Sequence, residues 1–584
     1  MERRYIIILP ARTESERYWQ SRIADLAPYP SALRSIVNSP RLIVLSSADA
    51  YRLAGAEGVI LGELIRKGGR APIPTLDTAE TELIARFGAE RLITGYWGAY
   101  LAVIVCQDEV TVLRAPLGDL PAYVWHSPHG MVIGSDVALI SAIGGFVPSI
   151  DWTAVAEHLV APDLRRARTC LADLEELAGG AAGTWRNDRW AVRHLWSPWQ
   201  FVSPDPDAVD PIASPEQVAQ AVRQSIAART ARLERLILLL SGGLDSSIVA
   251  ACLADAGRET NALTMVTRDR GGDERAYARA IASHLAIPLT EVTRAVTDVD
   301  IYRSAAAGLP RPSEHSFAQA TSRAAELLSN RTGAQAIVHG GGGDNVFCSV
   351  QSAAPVADRL LTAGPDRRFR EIAADLATLS QTSIPHVIQA AVRRAFRRRQ
   401  HYRFPADRSL LSREAIAAAR NACEHPWLDS PRRALPGSAS HIGLVAAAQS
   451  LVESPDPRPS LARVAPLVTQ PVIETCVAIP SWNWYLNGCN RAVARQGFQR
   501  SLPAEIAWRR SKGAMDSFVI EIMDANRRRL NAMLGDGLLV AHGLLDRDAV
   551  RGVLADGIST SAQDCGRVML FADVEAWLRS WSDN

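Results

Sequence analysis

Lysine is almost absent from this chain: of 64 basic residues only Lys67 and Lys512 are lysines, and the rest are arginines. Neither lysine follows a glycine, so no G-K-[ST] phosphate loop exists anywhere in it. Arginine replaces lysine wherever a solvated positive charge suffices, but not where a compact ammonium must approach an oxygen as a point charge. Each surviving lysine is therefore a functional hint. Paired cysteines are missing too. The eight thiols form no C-x-x-C motif, and no histidine cluster has metal-ligand spacing, which reads as reduced, mostly buried cysteines of a cytoplasmic protein. No run approaches the ~18 to 20 uninterrupted apolar residues of a spanning helix. The opening MERRYIIILPARTE has a basic front, but its apolar run is too short for a signal peptide and reads as a first strand. A formal charge of only +2 creates no global field toward nucleic acid or anionic membrane.

What is present is length and a change of texture along it. At 584 residues the chain exceeds what one hydrophobic core serves, and two domains are expected. Residues 1–205 carry short β-like runs (YIIIL, RLIVLS, YLAVIVCQDEVTVLRA, MVIGS) with few long helical patterns, which predicts stacked sheets. The segment FVSPDPDAVDPIASPEQ, 201–217, is rich in proline, serine and aspartate and marks the boundary. From 215 to 584, helical stretches alternate with apolar runs at 236–240 (LILLL), 261–266 (NALTMV) and 335–338 (QAIV), the pattern of a parallel sheet covered by helices; beyond about 350 the signal is helical. The arginine-rich stretch AVRRAFRRRQHYRF, 391–404, reads as a solvated helix face, with peptide or nucleic-acid contact as the alternative.

The chemistry concentrates where apolar runs meet glycine. In LILLLSGGLDSSIVAACLADAG, 236–257, Gly242 and Gly243 let the backbone turn so that N–H groups and a helix N-terminus point at an anion. Ser241, Ser246 and Ser247 add hydroxyl donors. Asp245 would repel a phosphate unless a divalent cation lies between them, so magnesium is implied. In HGGGGDNVF, 339–347, Gly340, Gly341 and Gly342 leave a backbone surface that a ligand approaches closely, and Asp344 faces the crevice at a strand end. Asp245 and Asp344 thus offer two carboxylates for magnesium on a polyphosphate. Backbone groups near Met265 and Val266 are placed to meet adenine, while Asp273 and Glu274 read equally as helix caps. Lys512, in RSLPAEIAWRRSKGAMDSF, can stabilise the charge that builds as an acyl-adenylate forms and collapses. Glu314 and His315, in LPRPSEHSF, are candidate bases for an amine, beside a structural reading of each.

The 241–247 loop resembles the pyrophosphate loop of N-type ATP pyrophosphatases, which cleave ATP between the α and β phosphates to adenylate a substrate. Together with the Asp344 segment, PLVTQPVIETCVAIPSWNWYLNGCNRAVARQGF (466–498) and the Lys512 loop, it resembles the synthetase domain of glutamine-hydrolysing asparagine synthetases. The first half is similar to their glutaminase domain, VILGELIR (59–66) to N-G-E-I-Y and LRAPLGDLPAY (113–123) to R-D-x-x-G-x-x-P-L-Y. The resemblance implies mixed α/β and α+β architecture: a degenerate Ntn-hydrolase stacked-sheet domain, then a doubly wound parallel-sheet ATP-pyrophosphatase domain. It also implies ATP held at the glycine loops, Mg2+ on Asp245 and Asp344, and catalysis by these two with Lys512.

The departures redirect the reaction. Such a glutaminase uses the thiol of an N-terminal cysteine, but here Met1 is followed by Glu2, and Leu61 stands where its oxyanion-stabilising asparagine would be. Without them glutamine is not expected to supply ammonia, and the first domain reads as a remnant. Asn345 and Gly341 replace two glutamates of the synthetase pattern. G-G-G-G-D-N-V-F-C, with L-V-T-Q-P-V-I-E and N-R-A-V-A-R, is most similar to the lasso-peptide macrolactam synthetases, or lasso cyclases. That resemblance implies adenylation of an Asp or Glu side chain of a ribosomal core peptide and attack by its own N-terminal amine. It implies a precursor peptide, a leader peptidase and a leader-binding protein as partners, and Glu314, His315 and Asn345 as substrate-contact candidates. The alternative is an ammonia-dependent asparagine synthetase or a β-lactam-forming relative acting on a small amino acid. A tRNA-thiolating role is disfavoured by the near-neutral charge and unpaired cysteines.

Overall fold

The computed structural model describes residues 3–11, 13–24, 33–53, 58–205, 209–269, 272–396, 402–452, 461–510, 516–555 and 560–582. The first half is built on two six-stranded antiparallel sheets. One runs Leu174–Glu176, Tyr123–Ser127, Gly130–Gly134, Tyr5–Pro10, Leu42–Ser46, Arg34–Ser39. The other runs Arg189–His194, Ala181–Arg186, Glu109–Arg114, Tyr100–Cys106, Gly58–Gly62, Ala50–Leu53.

Alternation along YIIIL explains why it is apolar throughout. Tyr5, Ile7 and Leu9 join a core with Val44, Val59, Leu61 and Val103 from both sheets, while Ile6 and Ile8 belong to the cluster formed with the helices. Every strand position is then buried, and the apolar run follows. Leu61 is part of this inter-sheet core, 2 % exposed. The expected stacked sheets are present. One feature differs from the sequence reading: an 18-residue helix, Thr78–Gly95, packs here. Its pattern is broken at Gly88 (φ +62°), where two shorter helical segments meet at a kink.

The end of the first half is anchored on the second. Trp196 meets Trp427 edge to face with centroids 5.1 Å apart, and the Trp199 Nε1–H donates to the Trp427 carbonyl at 2.9 Å. Lys67 pairs with Glu474 at 2.9 Å, and the Trp196 indole N–H donates to the same carboxylate at 2.9 Å. The hint carried by Lys67 thus resolves into a tie between the halves. Deeper in, Glu176 is surrounded by Arg114, Arg165 and, from the second half, Arg311, at 2.7, 2.7 and 3.0 Å.

The second half carries a five-stranded parallel sheet in the order Leu289–Thr293, Glu259–Val266, Arg235–Leu239, Ala336–His339, Ala462–Val464. Both faces are covered. Ile237, Leu263 and Ile337 pack on Ala325 and Leu328 of the helix Ala318–Thr332, while Leu236, Leu238 and Val338 pack with Ile248 and Val249 of the helix Leu244–Asp255. A strand buried on both faces reads as continuous LILLL. The sheet is doubly wound, as expected, and helices fill most of the remaining chain. All eight cysteines are free thiols, six of them buried. Among the described residues no helix is long and apolar enough to cross a membrane.

Candidate functional site

The strand order reverses between Arg235–Leu239 and Ala336–His339: the chain leaves the first to one side and returns to the second on the other. Ligands of such sheets bind in the crevice beyond the strand ends at this reversal. Leu239 is in register with His339, so the Ser241–Ser247 loop and the Gly340–Asp344 segment emerge side by side.

Both loops are shaped by glycine. Gly242 has φ +71°, and a side chain there would drive into the backbone of Ala278. A Cβ at Gly340 would lie 2.6 Å from the Ser246 N, and one at Gly343 2.5 Å from Asp245 Cγ. The two loops therefore interlock only as glycine. The helix Leu244–Asp255 starts at Gly243 with no side-chain cap, which leaves its N-terminal N–H groups for a ligand. Ser241 is exposed, and its Oγ lies 3.1 Å from Ser246 Oγ. Ser246 and Ser247, both in the first turn of that helix, are buried, Ser247 fully.

Asp245 and Asp344 are brought together, with Arg491 between them. The Arg491 guanidinium is 2.8 Å from Asp245 Oδ2 and also pairs with Asp344 Oδ1. Burial opposes its charge, but the two carboxylates outweigh this and hold its pKa above the usual arginine value. Arg491 sits at φ +55°, a left-handed position that a non-glycine residue keeps only where its surroundings hold it. The composition of this cluster, two carboxylates around one positive charge at a glycine-cradled loop, fits a divalent cation. Asp245 and Asp344 are the residues that would hold it. No group of three or more His, Cys, Asp or Glu side chains suited to a metal occurs among the described residues.

A second arginine ties the approach to Lys512 onto this loop. Arg509 pairs with Glu274 at 2.8 Å, lies 3.7 Å from the centroid of the Tyr277 ring, and its guanidinium is 3.4 Å from the Gly242 carbonyl. Arg495, almost fully buried, donates to the Ala507 carbonyl at 2.6 Å. Glu274 is thus an ion-pair partner with no capping bond, whereas Asp273 accepts the Arg275 N–H at 3.1 Å. Lys512 itself lies outside the described residues.

The remaining candidates separate. Met265 and Val266 end their strand beside the loop, where the Val266 carbonyl already accepts the Arg294 N–H at 2.9 Å. Asn345 donates its side-chain N–H to the Leu444 carbonyl at 2.8 Å, and His441 bonds the Val346 carbonyl at 2.8 Å. Asn345 therefore fastens the Asp344 segment to the helix Pro436–Val452. Glu314 pairs with Arg463 at 3.3 Å and His315 with Asp573 at 3.1 Å, both lining a cavity between the two halves. Arg393 and Arg394 are exposed on the helix Ile384–Phe396, and 397–401 lie outside the described residues.

In the first half, Glu63 and Asp119 lie in the segments similar to a glutaminase. Glu63 is 2.6 Å from Arg3 and 3.1 Å from Arg229; Asp119 is 3.6 and 3.4 Å from the same pair. Arg229 comes from the second half.

A doubly wound sheet with a glycine-serine loop, an uncapped helix and paired carboxylates at its switch point defines a nucleotide-binding α/β domain. Residues 217–579 match the asparagine synthase family, and the chain belongs to it. Carboxyethyl-arginine beta-lactam-synthase of Streptomyces clavuligerus is 26 % identical over 286 residues, 47 % of this chain and 49 % of that protein. The chain thus spans about half the length of this curated relative. Among solved structures, the allosteric regulatory enzyme of purine biosynthesis aligns over 58 % of this chain and 83 % of its own, at 11 % identity and TM-score 0.21. Glutamine phosphoribosylpyrophosphate amidotransferase from B. subtilis aligns over 58 % and 84 %, at 10 % identity and TM-score 0.20.

Proposed function

We propose that this protein closes an amide within a single substrate molecule: it adenylates a side-chain carboxylate of a peptide with ATP, and the peptide's own N-terminal amine displaces AMP. In the first step a carboxylate oxygen attacks the α-phosphorus and pyrophosphate leaves. In the second the amine attacks the acyl carbon, AMP leaves with the bonding electrons, and the amine gives up a proton. The net change in the peptide is loss of one water.

The observation that carries this reading is the engagement of Glu63 and Asp119 by Arg3 and Arg229. With Leu61 buried in the sheet core beside them, the segments that would handle glutamine are engaged in structure, which supports an amine supplied by the substrate. Ser241, Gly242, Gly243 and the helix N-terminus hold the phosphates in this scheme, and bound magnesium would neutralise the polyphosphate. The neutral Gly340–Gly342 segment suits a bulky peptide better than free aspartate. On this reading the partners are a ribosomal precursor peptide and the leader peptidase and leader-binding protein that prepare it.

The beta-lactam-synthase likeness favours a second reading, closure of a small ring in a modified amino acid by the same two steps. Incubating candidate core peptides, and separately carboxyethyl-arginine, with ATP and magnesium distinguishes them. The expected result is a peptide lighter by one water, with AMP and pyrophosphate in equal amount. Turnover of carboxyethyl-arginine alone would replace the first reading by the second.

A further inference from the structure

The cavity between the halves encloses about 280 Å³. Trp97, His158 and Asp163 line it from the first half, and Glu314, His339 and Arg463 from the second. One wall is the back of the glycine-rich segment. His339 ends the strand before Gly340, and its Nδ1 accepts the Gly341 N–H at 3.1 Å; Val468, also in the lining, is what a side chain at Gly342 would strike.

Most of the charge in this cavity is cancelled in place. Asp119 pairs with Arg229, Glu314 with Arg463, and His315 with Asp573. Two acceptors stand apart from these pairs. His158, on the helix Trp152–Val160, is only 4 % exposed, and its Nε2 has no hydrogen-bond partner among the described residues. Burial, reinforced by Arg166 and Arg311, pushes its pKa down to about 3, so the ring is neutral. The Pro312 backbone engages the ring, and a neutral imidazole keeps one nitrogen able to accept a hydrogen bond. Asp163 makes no ion pair among the described residues and is exposed at the cavity's edge. A buried acceptor without a donor destabilises the empty site, and a ligand bringing N–H groups would recover that loss.

We propose that this cavity seats the amine-bearing end of the substrate, that His158 and Asp163 receive its N–H groups, and that the first half is retained as one wall of this seat. The inference rests on the reading that the attacking amine belongs to the substrate. It gives the degenerate half a binding role across the glycine-rich wall from the nucleotide loops.

The test uses the full chain without nucleotide, so that it is independent of the ATP chemistry. Binding of the tripeptide amide Gly-Ala-Leu-NH2 and of its N-acetylated form is measured by saturation-transfer NMR and competition. Wild type should bind the free amine about tenfold or more tightly than the acetylated form, the size expected for one charge-assisted hydrogen bond. Asp163→Asn and His158→Phe should each reduce that preference, with binding of a fluorescent ATP analogue unchanged. Asp163→Asn alters an exposed side chain, which keeps the test decisive if His158→Phe fails to fold. Equal binding of the two forms, no binding of either, or an intact preference in Asp163→Asn would overturn the seat. Failure of every substrate to consume ATP would instead overturn the cyclase reading.

Discussion

Arg491 reaches Asp245 at 2.8 Å across 246 positions of sequence, and the same guanidinium pairs with Asp344. A positive charge thus already lies where a polyphosphate-bound cation would be needed. Replacing it by glutamine leaves two carboxylates facing each other, and breaking such a buried pair typically costs ~3–5 kcal/mol. Arg491→Gln should therefore unfold at lower denaturant than wild type, and millimolar MgCl2 should restore part of the loss by binding the folded state. Wild type should respond little. Denaturant titrations of both proteins with and without magnesium check this; a variant as stable as wild type and indifferent to magnesium would show that Arg491 does not fill the cation position.

The two aspartates should differ in stability but agree in chemistry. Either Asp245→Ala or Asp344→Ala removes a charge needed by bound polyphosphate, and pyrophosphate release should fall by at least ~10²-fold. Asp245 is the more enclosed, its side chain 14 % exposed against 36 % for Asp344. Asp245→Ala should then lower the unfolding midpoint more. Pyrophosphate release in either variant near the wild-type rate would remove that residue from the site.

Glu176 makes a prediction about the joint between the halves. Burial raises its pKa, but Arg165, Arg114 and Arg311 outweigh burial and lower it to about 2. A carboxyl whose folded pKa lies below its unfolded value stabilises the fold above the unfolded pKa, and that contribution is lost as pH falls toward 2. Glu176→Gln removes the charge at every pH and strands three buried guanidiniums, a loss of ~3–5 kcal/mol. Denaturant midpoints at pH 7 and pH 3 check it: the gap between wild type and variant should be large at pH 7 and narrow at acid pH.

The same ion pairs explain what sequence could and could not reveal. Runs such as LILLL and QAIV are legible because strands buried on both faces carry no polar alternation, and each ends in the glycines that the interlocked loops require. The edge strands Leu289–Thr293 and Ala462–Val464 are not. The first is half exposed with polar residues, and the second has only three residues, too few to set a period. Arg491 and Arg509 were invisible for a different reason. In a chain where all but two of 64 basic residues are arginine, one more arginine has no contrast, and its partners lie far off in sequence. The glutaminase departure at Leu61 was legible as a residue type, but its role in the sheet core depended on the register of Leu61 with Leu101.

Glutamine gives a direct check on the first half. With Glu63 and Asp119 engaged by Arg3 and Arg229, added glutamine should release no glutamate, and free ammonium should neither stimulate nor compete in the cyclisation assay. Measurable glutaminase activity in the purified protein would return ammonia to the scheme.

Lys512 remains the sharpest test of the adenylation chemistry, because the chain itself supplies the control. If it were only a solvated charge, Lys512→Arg would be silent, since arginine serves nearly every other basic position. Its approach segment is fixed to the phosphate loop by Arg509, through Glu274 and the face of Tyr277. Lys512 follows Arg509 by three residues in the sequence. An ammonium placed among α-phosphate oxygens acts as a point charge, and the wider, planar guanidinium misplaces it. Loss of one such contact typically lowers a rate by ~10²- to 10³-fold. Lys512→Arg should therefore nearly stop the loss of water from the substrate while ATP affinity stays close to wild type, measured by mass spectrometry and nucleotide binding on the same preparation. Unchanged turnover would place the stabilising charge on an arginine, with Arg491, already between the two aspartates, the first to examine.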